Sequence, residues 1–197
     1  MALWEKAKRN RRLWLLLFAV MGFGLGLALT LAKIFSPGLK PPTGQSRVRN
    51  PLPVQAAAAQ KVHLYFASRN GRYLQAEERR IEAKDTASAI EAIVEALLEG
   101  PQDSRLASTI PEGVQLLHLF VTADGTAYVD FTEKLSRSHP GGVSAERLTV
   151  YAIVNSLVLN LDAVERVLLL LEGEPQATLA GHIDTRHAKI ANLLIVR

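Results

Sequence analysis

Two apolar runs separated by an Asp-Gly pair, VQLLHLFVTADGTAYVDF from Val114 to Phe131, constrain this chain more than any other stretch. They predict a β-hairpin, and its register can be counted. A two-residue loop at Asp124 and Gly125 sets Phe120 against Val129 and His118 against Phe131, which mixes His and Thr into the apolar face. A three-residue loop of Ala123, Asp124 and Gly125, with Gly125 in the left-handed region as a bulge, puts Leu117, Leu119 and Val121 with Ala127, Val129 and Phe131. His118, Phe120, Thr122, Tyr128 and Asp130 then share the other face. Because a one-residue slip exchanges the faces, the bulged loop is expected.

The first sixty residues differ from the rest. No charge falls between Arg12 and Lys33, and Leu13 to Ala32 is long enough, at about 1.5 Å per residue, to cross a hydrocarbon core of about 30 Å. Lys6, Lys8, Arg9, Arg11 and Arg12 precede it against a single Glu5, so residues 1–12 are expected as a cytoplasmic basic arm, 13–35 as a transmembrane helix, and residues 36–197 as extracytoplasmic. A signal peptide cleaved near Thr30-Leu31-Ala32 is the alternative, although the apolar stretch exceeds the usual 7–15 residues. The chain has no cysteine, hence no lipid-attachment thiol and no disulfide. Residues 1–60 carry nine Lys or Arg against one acid, and residues 61–197 fourteen against eighteen. The basic balance therefore belongs to the membrane arm, and nucleic acid is not an expected partner.

Residues 36–60, with Pro37, Pro41, Pro42, Pro51, Pro53 and the Ala56–Ala59 run, read as a linker that spans roughly 28 Å as random coil. Residues 61–197 read as one domain. Val62 to Ala67 alternates as a strand; Asn70-Gly71 turns the chain; Tyr73-Leu74 and Arg79 to Ala83 are expected as two short extended pieces with Glu77 to Arg80 solvated. Arg79-Arg80 reads as a polar face rather than an anion site. Asp85 or Thr86 caps a helix carrying Ala89, Ile90, Ile93, Val94, Leu97 and Leu98 at three- and four-residue steps, and Gly100-Pro101 ends it. A second helix begins near Ser144 and is apolar on nearly every side from Leu148 to Leu161, so it is expected to be buried on more than one face; Asn155 inside it is expected to bond a neighbouring loop. Val164 to Leu171 reads as an interior strand, Thr178 to Ile183 as a short strand pairing back, and Ile190 to Val196 as a last strand or an amphipathic tail. The expected fold class is α+β, one mixed sheet with two packed helices in the order β-β-α-β-β-α-β, preceded by the transmembrane helix.

The chemistry-bearing residues form no recognised constellation. There is no Gly-rich phosphate loop, no Gly-x-Ser-x-Gly elbow and no Cys nucleophile. His182, Asp184 and His187 are the nearest approach to a ligand cluster, but two His on an expected loop fall short of a metal site. Asp130 and Glu172 would be the carboxylates of a paired-acid hydrolase, and turn or strand-end roles fit them better. No catalytic residue, cofactor or metal is expected.

The opening VHLYFAS with Tyr73-Leu74, the LLEGPQ of Leu97 to Gln102, the IPEG of Ile110 to Gly113, the AYVDFTEKL of Ala127 to Leu135, and YAIVNSL followed by the LLLEGEPQATLAGHID of Leu169 to Asp184 occur together in one order. In this the chain resembles the GerM domain family, named from sporulation and germination proteins, over roughly Lys61 to Ile190 and in a single copy. The resemblance implies an extracytoplasmic, membrane-tethered module of the cell envelope with a fold similar to ring-building motifs, an assembly or docking role with an envelope protein or with itself, and no catalysis. A receptor for a small molecule or cell-wall glycan is the alternative. With four Tyr in all, and both Trp (Trp4 and Trp14) in the membrane arm, a sugar-stacking platform is poorly supplied, so the interaction module is favoured. Docking is expected through a sheet edge or the apolar tail from Ile190 to Val196.

Overall fold

The computed structural model describes residues 58–197. The basic arm, the expected span at 13–35 and the linker as far as residue 57 lie outside the described residues; among those described, no helix is long and apolar enough to cross a membrane. The fold is α+β. Strand β1 (Ala58–Ser68) starts three residues inside the expected linker and runs antiparallel to β2 (Leu74–Ala83), from Ala58 opposite Ala83 to Ala67 opposite Leu74. The two short pieces expected at Tyr73-Leu74 and Arg79–Ala83 are thus one strand of ten residues. Its middle is not all solvated, because Arg79 is buried and ion-paired to Glu77. A charged pair here takes an interior place, which polarity alone does not disclose.

Helix α1 (Thr86–Glu99) is set by local rules. Asp85 accepts from the Ser88 amide at 2.8 Å while Ser88 Oγ accepts from the Asp85 amide at 3.1 Å, and Gly100, at φ 90°, stops the helix. Its buried stripe of Ala89, Ile90, Ile93, Val94 and Leu97 faces the core. After a two-residue β3 (Leu106–Ala107), which pairs with the end of β1, comes the hairpin of β4 (Leu116–Val121) and β5 (Thr126–Phe131). Val121 pairs with Ala127, Leu119 with Val129 and His118 with Asp130, with Gly125 at φ 75° in a three-residue loop, as counted from the sequence. A second irregularity between Leu116 and His118 brings Leu116, rather than Leu117, opposite Phe131. A short α2 (Lys134–Arg137) leads to α3 (Val143–Val158), then β6 (Arg166–Leu171) and β7 (Glu174–Pro175).

The strands do not form the single sheet expected. They form two, β2-β1-β3 and β4-β5-β6-β7, with β6 parallel to β5. The edge of β1 shows why. The Tyr65 amide donates to Ser156 Oγ at 2.9 Å, and Asn160 both accepts from the His63 amide and donates to the His63 carbonyl, each at 2.8 Å. Side chains at the end of α3 occupy the hydrogen-bonding groups that a further strand would need. Helix α3 therefore lies against β1, and its two apolar faces enter two clusters. Val150, Ile153, Val154 and Leu157 join the main core with Phe66, Ile90, Val129 and Phe131, while Leu148 and Ala152 pack with Tyr65, Leu74 and Ile195. Each fully buried large side chain here contributes about 1.5–3 kcal/mol.

The end of the chain also departs from expectation. Thr178 to Ile183 makes only an isolated bridge between Thr178 and Asp184, and Ile190 to Val196 is neither strand nor continuous amphipathic tail. Leu193–Ile195 form a 3-10 turn, and Val196 bridges Leu74.

Candidate interaction surface

Helix α3 is a polar organiser inside an apolar core. Glu146 has no exposed surface, and its carboxylate accepts from the amides of Ala180 and His182 at 2.8 Å each and from the His182 ring nitrogen Nδ1 at 3.1 Å. Burial pushes its carboxyl up, but those amides together with that of Ile183 and the His182 ring outweigh it and hold the group below the ordinary carboxylate range. Thr149, one turn on, accepts from His139 Nε2 at 2.9 Å and donates to the Thr109 carbonyl at 2.6 Å; Gly141 donates to His139 Nδ1 at 3.0 Å. Both ring nitrogens are thus engaged, the proton sits on Nε2, and burial lowers the ring's pKa, so His139 joins segments as a neutral imidazole. It lines a cavity of about 330 Å³ with Ser68, Arg69, Ser108 and Ser144 at the start of α3. Asn155 bonds Asn192 in both directions, at 3.0 and 2.8 Å, which is the loop bond its burial called for.

The residues weighed as chemistry are drawn apart. His182 goes to Glu146, Asp184 to Arg186 at 2.8 Å, and His187 joins neither. Asp130 is buried, with Oδ1 accepting from the Gly173 amide at 2.9 Å and Oδ2 at 3.2 Å from His118 Nδ1, so it caps the turn after β6. Glu172, at φ 51°, accepts from the Glu133 amide at 3.0 Å. The two carboxylates hold separate backbone segments. Arg79 donates to the Gly100 carbonyl at 2.8 Å, and Glu77 accepts from the Gln102 and Asp103 amides; this pair fastens the loop after α1 and is no anion site. Burial raises the Glu77 carboxyl, and the two amides with Arg79 more than reverse that. Glu146 was not singled out from the sequence; an acid in the first turn of a helix reads as a solvated, dipole-favoured charge, and no local signal marks it as buried.

What remains open is the outer face of the second sheet. Phe120 and Tyr128 stack across β4 and β5 with centroids 4.4 Å apart and planes 8° from parallel, and Leu168 continues the row onto β6. Phe120 is 51% exposed. Beyond it lies an edge. The Thr122 amide bonds the Thr126 carbonyl, so alternation along an antiparallel pair aims the backbone groups of Leu119 and Val121 away from β5. Among the described residues no strand other than β5 pairs with β4. The edge carries no Lys, Glu or Pro, whereas β2, an edge of the other sheet, carries Glu77, Glu78, Arg79, Arg80 and Glu82. Charged edges resist pairing, and β4 lacks that guard.

A family model described as Germane, sporulation and spore germination, matches residues 63–177. Among solved structures the chain is similar to a candidate lipoprotein from Clostridium perfringens at 17% identity and TM-score 0.50, over 68% of this chain and 88% of that one. It is similar to the first GerMN domain of the sporulation protein GerM from Bacillus subtilis at 15% identity and TM-score 0.52, over 68% and 98%. Against the tandem GerMN domains of the same protein the identity is 16% and the TM-score 0.55, with 68% of this chain matched to 46% of that chain. At such identities the likeness concerns the fold. Among curated proteins none matches.

Proposed function

The chain belongs to the Germane family of sporulation and spore germination, and from that membership we propose that it is a membrane-anchored, extracytoplasmic module that docks an envelope protein and performs no catalysis. The observation that carries this reading is the unguarded β4 edge beside the Phe120–Tyr128 stack, where an incoming extended segment finds unpaired main-chain groups and an apolar row to continue. The expected span at Leu13 to Ala32 with its basic flank supports the anchor, and the candidate lipoprotein from Clostridium perfringens supports an envelope location for a protein of this fold.

The glycan-receptor alternative has one observation in its favour, the same aromatic pair. Its setting is an open sheet face rather than a cleft, and the cavity beside His139 has no aromatic ring other than the imidazole in its lining, so docking is preferred.

Two measurements test the proposal. Alkaline carbonate extraction should leave the full-length chain in the membrane pellet; release into the supernatant would remove the anchor. A photo-crosslinking residue in place of Phe120, in cells that make the protein, should give discrete protein adducts, which His118→Lys, a solvent-facing position on the same edge strand, should abolish while the circular dichroism spectrum stays unchanged. Absence of adducts, with retention on isolated cell wall, would overturn docking in favour of the receptor.

A further inference from the structure

The 3-10 turn at Leu193–Ile195 holds two leucines in the open. Leu194 is 93% exposed and Leu193 61%, while Ile195 beside them is buried against Tyr65, Leu74, Leu148 and Ala152. The turn is gripped. Asn155, itself fully buried, bonds the Asn192 backbone at both its amide and its carbonyl, Asn192 Oδ1 accepts from the Leu194 amide at 3.0 Å, and the Arg197 amide donates to the Leu74 carbonyl at 2.9 Å. A buried amide side chain is thus committed to fixing two leucines where they meet water, the arrangement that apolar burial alone would select against.

The two segments that meet at the turn lean basic. From Asp184 to Arg197 the chain carries Arg186, Lys189 and Arg197 against one acid, Asp184; Ser68 to Ala76, joined to the turn through Leu74, carries Arg69 and Arg72 and no acid, with Glu77 next along β2. Residues 61–197 as a whole hold more acids than bases, so this end is basic against the trend of the domain. Arg186 is paired with Asp184; Arg72, Lys189 and Arg197 enter no ion pair among the described residues.

We propose that this end of the domain is a lipid contact: Leu193 and Leu194 enter the boundary between headgroups and acyl chains of an anionic bilayer, with Arg72 and Arg197 at the lipid phosphates. Protruding leucines, with Arg197 and Arg72 outside any ion pair on the two segments that meet at the turn, match such a surface in both apolar and electrostatic character. Two leucines bind weakly by themselves, and here the inference rests on the anchor proposed above, since tethering beside the bilayer raises the local concentration of the contact. The surface is separate from the β4 edge, so the proposal stands or falls independently of protein docking.

Because the chain has no cysteine, a single Leu194→Cys carries an environment-sensitive fluorophore without interference, at a position too exposed to matter for folding. The full-length protein is reconstituted in phosphatidylcholine vesicles with and without phosphatidylglycerol. Expected with phosphatidylglycerol are a blue-shifted emission, quenching by lipids spin-labelled near the headgroup, and reversal by high salt. Arg72→Glu and Arg197→Glu should each weaken the anionic-lipid response at least about fivefold, from roughly 1 kcal/mol per basic residue near such a surface. Unchanged emission between the two vesicles overturns the proposal. So does an equal shift from a probe at Glu95→Cys on α1, and so does a shift seen only in native membranes, which would make an acidic protein the partner.

Discussion

Glu146→Ala should lower the stability of the domain by about 2 kcal/mol or more, because it removes the acceptor of the part-buried amides of Ala180 and His182, an unpaired buried donor costing about 1–3 kcal/mol, and opens a void where a fully buried side chain stood. Urea unfolding of the full-length chain followed by far-ultraviolet circular dichroism reads this directly. Glu146→Gln, which keeps the volume and one acceptor, should fall between the variant and the parent. The carboxyl is held below its ordinary range in the folded state, so the stability it supplies is complete above the unfolded-state value of about 4.3 and is lost as pH falls through the lower folded value. The gap between parent and Glu146→Gln should therefore be wide at pH 7 and narrow in the acid limb. A gap that does not change with pH, or an alanine variant that unfolds with the parent, would mean that the carboxylate does not hold the 180–183 loop.

Gly125→Val should cost about 2 kcal/mol or more. The residue stands at φ 75°, where a β-branched side chain is strained by about 1–3 kcal/mol, and an added Cβ would meet Glu165 Cγ at 2.9 Å and the Glu165 backbone nitrogen at 3.3 Å. The flexible end of Glu165 can yield, but its backbone cannot do so freely. The Gly125 carbonyl accepts from the Glu165 amide at 2.8 Å, so the loop of one hairpin also starts the parallel pairing of β5 with β6. Gly125→Ala should lose less than the valine variant, and both should keep the docking and lipid-contact behaviour once folded. A valine variant with the parent's unfolding midpoint would refute the bulged loop.

How much of this molecule was readable before its structure depends on the range of the forces involved. The hairpin register beside the loop was, because two-residue alternation and one Gly at positive φ leave a single consistent count; the shift between Leu116 and His118, which puts Leu116 where Leu117 was expected, was not. Also readable was α1, whose cap was expected at Asp85 or Thr86 and whose end is a Gly-Pro pair; that Asp85 is the cap and that Ser88 completes it came from the structure. The double burial of α3 was also legible from its lack of a polar face, and the Asn155 bond from the cost of hiding an amide. The candidate surface was legible only in outline: the outer-face residues of the hairpin could be named, but not that Phe120 would stand at an unguarded edge.

The rest was decided by pairs far apart in the chain. Ser156 and Asn160 meet β1 across 91 and 97 positions, and that contact splits the strands into two sheets; Glu146 meets its amides across 34 and 36; Asn155 meets Asn192 across 37. A polar side chain looks alike in sequence whether it ends in solvent or on a buried amide, since the choice depends on which backbone group the tertiary packing leaves unpaired. The sequence by itself determined the anchor expectation, the hairpin, the capped helix and the family. Only the tertiary structure decided the sheet division, the burial of Glu146 and the Glu77–Arg79 pair, and the exposure of Leu193 and Leu194, because each is set by what packs opposite and not by its neighbours in the chain.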